Sequence, residues 1–169
     1  MKRFALFLVF ACSWSMVQAQ TWHEYVQEDG SFRILFPQEP SIVMDTIETD
    51  IGAIIQQSIV YQETDTTVGS PTYLVNIWEY PEATVHSDST ELVQELFEAT
   101  IEASVEELDG ILRYQTPVED TGYPGLLWRV DYLEESATLK TEAIVVNNRL
   151  YALQVACLRV HNQDASINR

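Results

Sequence analysis

Five glutamates, Glu91, Glu95, Glu98, Glu102 and Glu106, recur at spacings of four, three, four and four. In a helix that spacing places their carboxylates on one side. Oxygen ligands of this kind suit a hard divalent cation such as calcium, and Glu95, Glu98 and Glu102 are the central candidates. The competing reading is an ordinary solvated helix face. No Lys or Arg lies within the stretch to offset the like charges, a repulsion that salt screens. Glu63-Thr64-Asp65 and Glu119-Asp120 place further acids in predicted loops, without the glycine and ligand spacing of a calcium loop.

Other reactive types are sparse. His23, His86 and His161 are the histidines, and zinc would need all three distant segments to converge. No serine sits in a Gly-x-Ser-x-Gly elbow, and no glycine loop cradles phosphate. Cys157 shares a strand face with Tyr151, Leu153 and Val155, which predicts a packed thiol and not an accessible nucleophile. Two acids that meet only in space leave no local signature. On these residues the expectation is a protein that is not an enzyme and carries no cofactor.

The N-terminus supplies an address. Lys2 and Arg3 precede the apolar run 4–11, and Val17-Gln18-Ala19 puts small residues at the −3 and −1 positions of a cleavage site. This is the pattern of a secretory signal peptide over residues 1–19; the apolar run is too short to cross a bilayer. A periplasmic or secreted protein beginning at Gln20 is expected. The alternative is lipid anchoring through Cys12, since Val9-Phe10-Ala11-Cys12 faintly resembles a lipoprotein box. Cleavage after Ala19 would remove Cys12 and leave Cys157 with no intramolecular disulfide partner, so stability must come from packing.

Charge narrows the partners. Without Lys2 and Arg3, 26 acidic residues face seven basic ones, a balance of −19. Such a surface repels phosphate backbones and anionic headgroups, so nucleic acid is not an expected partner. Residues 20–169 show no repeat or linker and read as a single domain.

Strand patterns dominate that domain. Residues 22–26 and 32–36 flank the turn Glu28-Asp29-Gly30. Residues 41–49 and 53–62 flank Gly52. Residues 73–80 are apolar on both faces, as a central strand covered on both sides would be. Period 3.6 appears once, between Ser89 and Leu108, with Leu92, Val93, Leu96, Phe97, Ile101, Val105 and Leu108 as its stripe. Asp88 or Ser89 is placed to cap its start, and Gly110 to take a left-handed conformation past its end. Strands are expected at 111–118, 126–133, 138–146 and 150–158, the last two joined by Asn147-Asn148, because asparagine tolerates positive φ. The sum is an α+β domain, a central antiparallel β-sheet with a packed helix.

Three segments in order resemble PsbP-like domains. Residues 29–40, Asp-Gly-Ser-Phe-Arg-Ile-Leu-Phe-Pro-Gln-Glu-Pro, are similar to their opening motif. Residues 73–81 resemble their central strand, and 148–153 their late hairpin. The resemblance spans residues 22–169 and implies an α-β-α sandwich around the sheet. Members of that family include an extrinsic subunit that supports calcium and chloride retention in photosystem II, alongside exported bacterial proteins without assigned activity. Two departures stand out: Leu126 and Leu127 follow Gly122-Tyr123-Pro124-Gly125 where charged residues are common, and the chain stops at Arg169 before a terminal helix is complete. Residues 161–169 are therefore expected to be frayed, leaving an apolar sheet patch open to self-association. The functional expectation is an exported non-catalytic binding or scaffold module that engages a protein partner in the cell envelope through sheet edges and loops such as Tyr123-Pro124. The alternative is a divalent-cation-binding accessory protein using the acidic helix and loop carboxylates.

Overall fold

The computed structural model describes residues 22–63, 71–82, 84–119 and 121–158. The expected signal segment 1–19 with Cys12, the acids Asp65 and Asp120, His161 and the expected frayed end 161–169 lie outside the described residues.

Two short strands, β1 (His23–Val26) and β2 (Arg33–Phe36), pair antiparallel as a sheet of their own. Gly30 turns between them at φ 70°, a conformation that costs glycine little. Then follow β3 (Ser41–Thr49), β4 (Gly52–Gln62), β5 (Thr72–Glu79), the helix α1 (Thr90–Glu107), β6 (Ile111–Val118), β7 (Gly125–Tyr132), β8 (Ala137–Val146) and β9 (Arg149–Leu158). The seven strands after the hairpin form one antiparallel sheet in the order β3-β4-β5-β9-β8-β7-β6.

Alternation along each strand sends side chains to two faces. On one face α1 sets Val93, Phe97 and Ile101, one helical stripe, against Trp128, Val130, Ala143, Val145, Leu150 and Ala152. On the other the hairpin lays Phe36, Phe32, Ile34 and Tyr25 over Ile59, Tyr61, Val75 and Ile77. Trp128 and Phe36 are the largest fully buried side chains, and burying rings of this size is worth about 3 kcal/mol or more each. β5 lies inside the sheet, with Val75 and Ile77 buried on the hairpin face; the two-sided cover that its apolar pattern implies is incomplete, because Leu74, Asn76 and Trp78 on the other face are half-buried.

The expected α+β class, and the α-β-α sandwich that the resemblance implies, are overturned. The chain is mainly β, a seven-stranded and a two-stranded antiparallel sheet with one helix among the described residues. The physical reason lies in β1 and β2. Tyr25, Ile34 and Phe36 on two four-residue strands, with Phe32 just before β2, cover the second face, which needs apolar area and accepts it from a hairpin as readily as from a helix.

Two local expectations also fail. Ser89 is the N-cap residue but makes no side-chain cap hydrogen bond; its carbonyl accepts from Val93 N–H at 2.9 Å. The left-handed residue past α1 is Asp109, at φ 46°, and not Gly110. Gly110 answers a different need: a Cβ there would collide with Val130 Cγ1 and lie 3.1 Å from the Asp131 carbonyl oxygen. Asn147 does take positive φ, 53°. Its turn is tied to the segment before α1, with Ser87 N–H donating to Asn147 O at 2.8 Å and Asn148 Nδ2 to Tyr80 O at 2.6 Å.

A polar row crosses the helix side of the sheet where α1 does not reach. Ser58 Oγ donates to Asn76 Oδ1 at 2.7 Å, Asn76 Nδ2 to Gln154 Oε1 at 2.8 Å, and Gln154 Nε2 to Thr141 Oγ1 at 3.2 Å. Satisfied in this way, the row pins strand register, because a one-residue slip would strand each amide against apolar neighbours.

Candidate functional site

The hairpin does not cover its face of the sheet completely. Beside β2 a cleft of about 330 Å³ is lined by Phe32, Ile34, Val75, Ile144, Val146, Tyr151 and Leu153, with Ser31, Arg33 and Tyr123 at its rim. It shares Ile34, Val75 and Leu153 with a smaller hollow that runs on to Leu127, Lys140 and Glu142. It shares Ser31, Val146 and Tyr151 with a more polar one near Asn147, Asn148 and Arg149. The three make a trough along the hairpin's flank. Its wall is β2 and not β1, so the strand edge that lacks β1 borders it.

The trough is apolar because of strand alternation. Tyr151, Leu153 and Val155 of β9 and Ile144 and Val146 of β8 stand on the hairpin face at matched register. The hairpin is anchored at its turn: Phe32 meets Tyr151 edge-on at a ring-centroid distance of 5.7 Å. Arg149 bonds Asp29 at 2.7 Å and Glu79 at 2.8 Å. Hydrogen bonding from Ser31, with Arg149 beside it, holds the Asp29 carboxyl down to about 2. At the other end of the core, burial, with Glu63 next to it, pushes the Tyr61 phenol up to about 12. Tyr123, 47% exposed, overhangs the trough from the loop before β7. The central cleft has no carboxylate, histidine or cysteine among its lining residues. Such a lining is suited to burying apolar groups.

Among the described residues, positive charge is confined to one side of the molecule. The described basic residues Arg33, Arg113, Arg129, Lys140 and Arg149 all lie on the hairpin side, while α1 carries Glu91, Glu95, Glu98, Glu102, Glu106 and Glu107. The arginines are engaged in ion pairs. Asp131, 1% exposed, accepts from Arg113 Nε and Arg129 Nε at 2.8 Å each and from Thr138 Oγ1 at 2.9 Å. Arg113 also reaches Glu135 at 2.6 Å. Burial of Asp131 opposes ionisation, and the hydrogen bonds from Arg129, Thr138 and Arg113 outweigh it, so its carboxyl lies below the ordinary value.

The candidates singled out in the sequence fall elsewhere. Glu95, Glu98 and Glu102 are exposed on α1, and the Glu98 carboxylate accepts from Gln94 Nε2 at 3.0 Å. Among the described residues no group of three or more His, Cys, Asp or Glu is arranged to hold a metal ion. Glu63 accepts from the Tyr61 hydroxyl at 2.9 Å. His86 lies 3.4 Å from Asp88 at the approach to α1, while His23 is in β1. Cys157 is buried on the hairpin face opposite Thr138. Tyr123 was the one rim residue flagged in the sequence. The rest of the trough was missed because it is assembled from β2, β5, β8 and β9, whose apolar alternation signals core and cleft alike. No helix among the described residues is long and apolar enough to cross a membrane. Compared with protein-family models, with curated proteins and with solved structures, the chain shows no match.

Proposed function

We propose that this is an exported, non-catalytic binding module that takes an extended apolar segment of a cell-envelope protein into the trough beside β2. The observation that carries the reading is the lining: aliphatic and aromatic side chains from four strands, open to solvent, next to a β2 edge that pairs with no other strand among the described residues. Main-chain hydrogen bonds to such an edge supply affinity, and pockets for alternate side chains supply selectivity. The export pattern of residues 1–19 and the ordered likeness of residues 29–40, 73–81 and 148–153 to exported PsbP-like domains support the same role.

A photo-crosslinking phenylalanine in place of Tyr123, exposed to envelope extract, tests it. Adducts are expected through position 123, and they are expected to vanish in Leu153→Glu, which charges a cleft wall that is already partly exposed. Adducts formed instead through the same probe at Glu98, and indifferent to Leu153→Glu, would move the site to the acidic helix.

A further inference from the structure

The outer side of β3 carries a pairing pattern that fits itself. Among the described residues no strand pairs with β3 beyond β4. Thr49 and Gly52 close a two-residue turn, so alternation assigns the amides of Ser41, Val43, Asp45, Ile47 and Thr49 to β4. Those of Ile42, Met44, Thr46 and Glu48 point outward. One outward donor is already used: Thr46 N–H donates to the Asp45 carboxylate at 2.8 Å. Pro40, just before the strand, has no N–H to give. The open donors of the strand's first half are therefore those of Ile42 and Met44, two residues apart.

We infer that β3 pairs antiparallel with β3 of a second copy about a twofold axis through Val43. In that register Ile42 faces Met44 of the other copy and Met44 faces its Ile42. Each pair exchanges two backbone hydrogen bonds, so the open donors of both copies are used. The next position sets donor-less Pro40 opposite Thr46, whose N–H is already taken. Neighbouring registers fail: a centre at Met44 needs the occupied Thr46 N–H, and a centre at Asp45 sets two carboxylates face to face, which is destabilising. With the axis at Val43, Asp45 lies across from Ser41 and Glu48 from Gln38, so no acid opposes an acid. The side chains match as well. Ile42, Val43 and Met44 are 50%, 58% and 67% exposed, and the pairing brings Ile42 beside Met44 on one face and Val43 beside Val43 on the other.

Charge sets how the dimer behaves. Two chains of net charge −17 repel as they approach, and salt shortens that repulsion to within about 8 Å at physiological strength. Dimerisation is therefore expected to strengthen as salt rises, the opposite of what a cationic partner strand on the same edge would show. A single strand pair is also smaller than the standard interface of about 800 Å² per partner, so a weak, concentration-dependent dimer is expected.

Sedimentation velocity over a range of protein and salt concentrations reads this out. The expected result is a monomer–dimer equilibrium favoured by salt, weakened at least tenfold in Val43→Glu, which sets two acids across the axis, and unchanged in Thr116→Glu on the opposite edge strand. Hydrogen exchange on the unaltered protein keeps the test independent of variant folding: Ile42 and Met44 amides should gain protection with concentration while that of Glu48 does not. A protein that stays monomeric at high salt, or a dimer that Val43→Glu leaves intact or that protects other amides, would overturn the proposal.

Discussion

Along β6 the outer backbone of the sheet is interrupted. Its pairing with β7 shifts at Arg113, between Leu112 and Tyr114, Pro117 has no N–H, and Arg113 is drawn back onto buried Asp131. Along β3 nine residues run without bulge or proline, with Ile42, Val43, Met44 and Ile47 exposed. Proteins blunt sheet edges with bulges, prolines and inward charges because unpaired strands recruit other strands. One outer strand of this sheet uses all three devices, and the other relies on Asp45 capping a single amide. The closed edge is also the edge under α1, where the helix and the Asp131 ion pairs require β6 in one place. The open edge lies farthest from α1, and nothing in the core depends on its outer side.

Asp131→Asn should disturb the closed edge most severely. It leaves Arg113 and Arg129 without their shared carboxylate, and removing one partner of a buried pair costs about 3 kcal/mol or more. Urea unfolding should show that loss, together with a fall in melting temperature of roughly 6–12 °C. The pH dependence follows from the same group. Because the folded-state value is lowered, the contribution is present above the unfolded value of about 3.9 and is lost as pH falls through the folded one. The unaltered protein should lose stability below about pH 4, and Asp131→Asn should lose less over that range.

Gly110→Ala comes next, at about 1–3 kcal/mol, because the added methyl overpacks Val130 beneath the start of β6. Paired prolines then sharpen the contrast within β3. Val43→Pro removes a ladder donor to β4 and should cost about 1–3 kcal/mol in chemical denaturation. Met44→Pro removes an outward donor and should cost well under that in the monomer. Equal costs at the two positions would show that the outward and inward assignments are wrong. The smallest effect belongs to α1. Glu95→Gln, Glu98→Gln and Glu102→Gln together should raise stability by a few tenths of a kcal/mol, since like charges at this spacing cost about 0.2–0.5 kcal/mol per pair. A calcium-dependent rise in melting temperature that the triple change abolishes would favour the cation reading of that face.

Much of the element order was legible beforehand. Strand boundaries at 41–49 and 111–118, the last strand to within one residue, the helix that begins after Ser89, the Asn147 turn and the buried place of Cys157 all follow from alternation and turn chemistry, which are local. Of the site, Tyr123 alone was legible, and the cation set was drawn from spacing on one helix face. That spacing guarantees shared orientation but not convergence with ligands from elsewhere.

What sequence determined by itself was the period of each segment and the acidity of the whole, because both reside in neighbouring residues. Which strands became edges, that a hairpin and not a helix covered the second face, and where Arg113, Arg129 and Thr138 met Asp131 were decided only in the tertiary structure. Those outcomes depend on pairing between segments far apart in the chain. Apolar alternation makes many such pairings acceptable, and only the packed sheet with its satisfied polar groups selects among them.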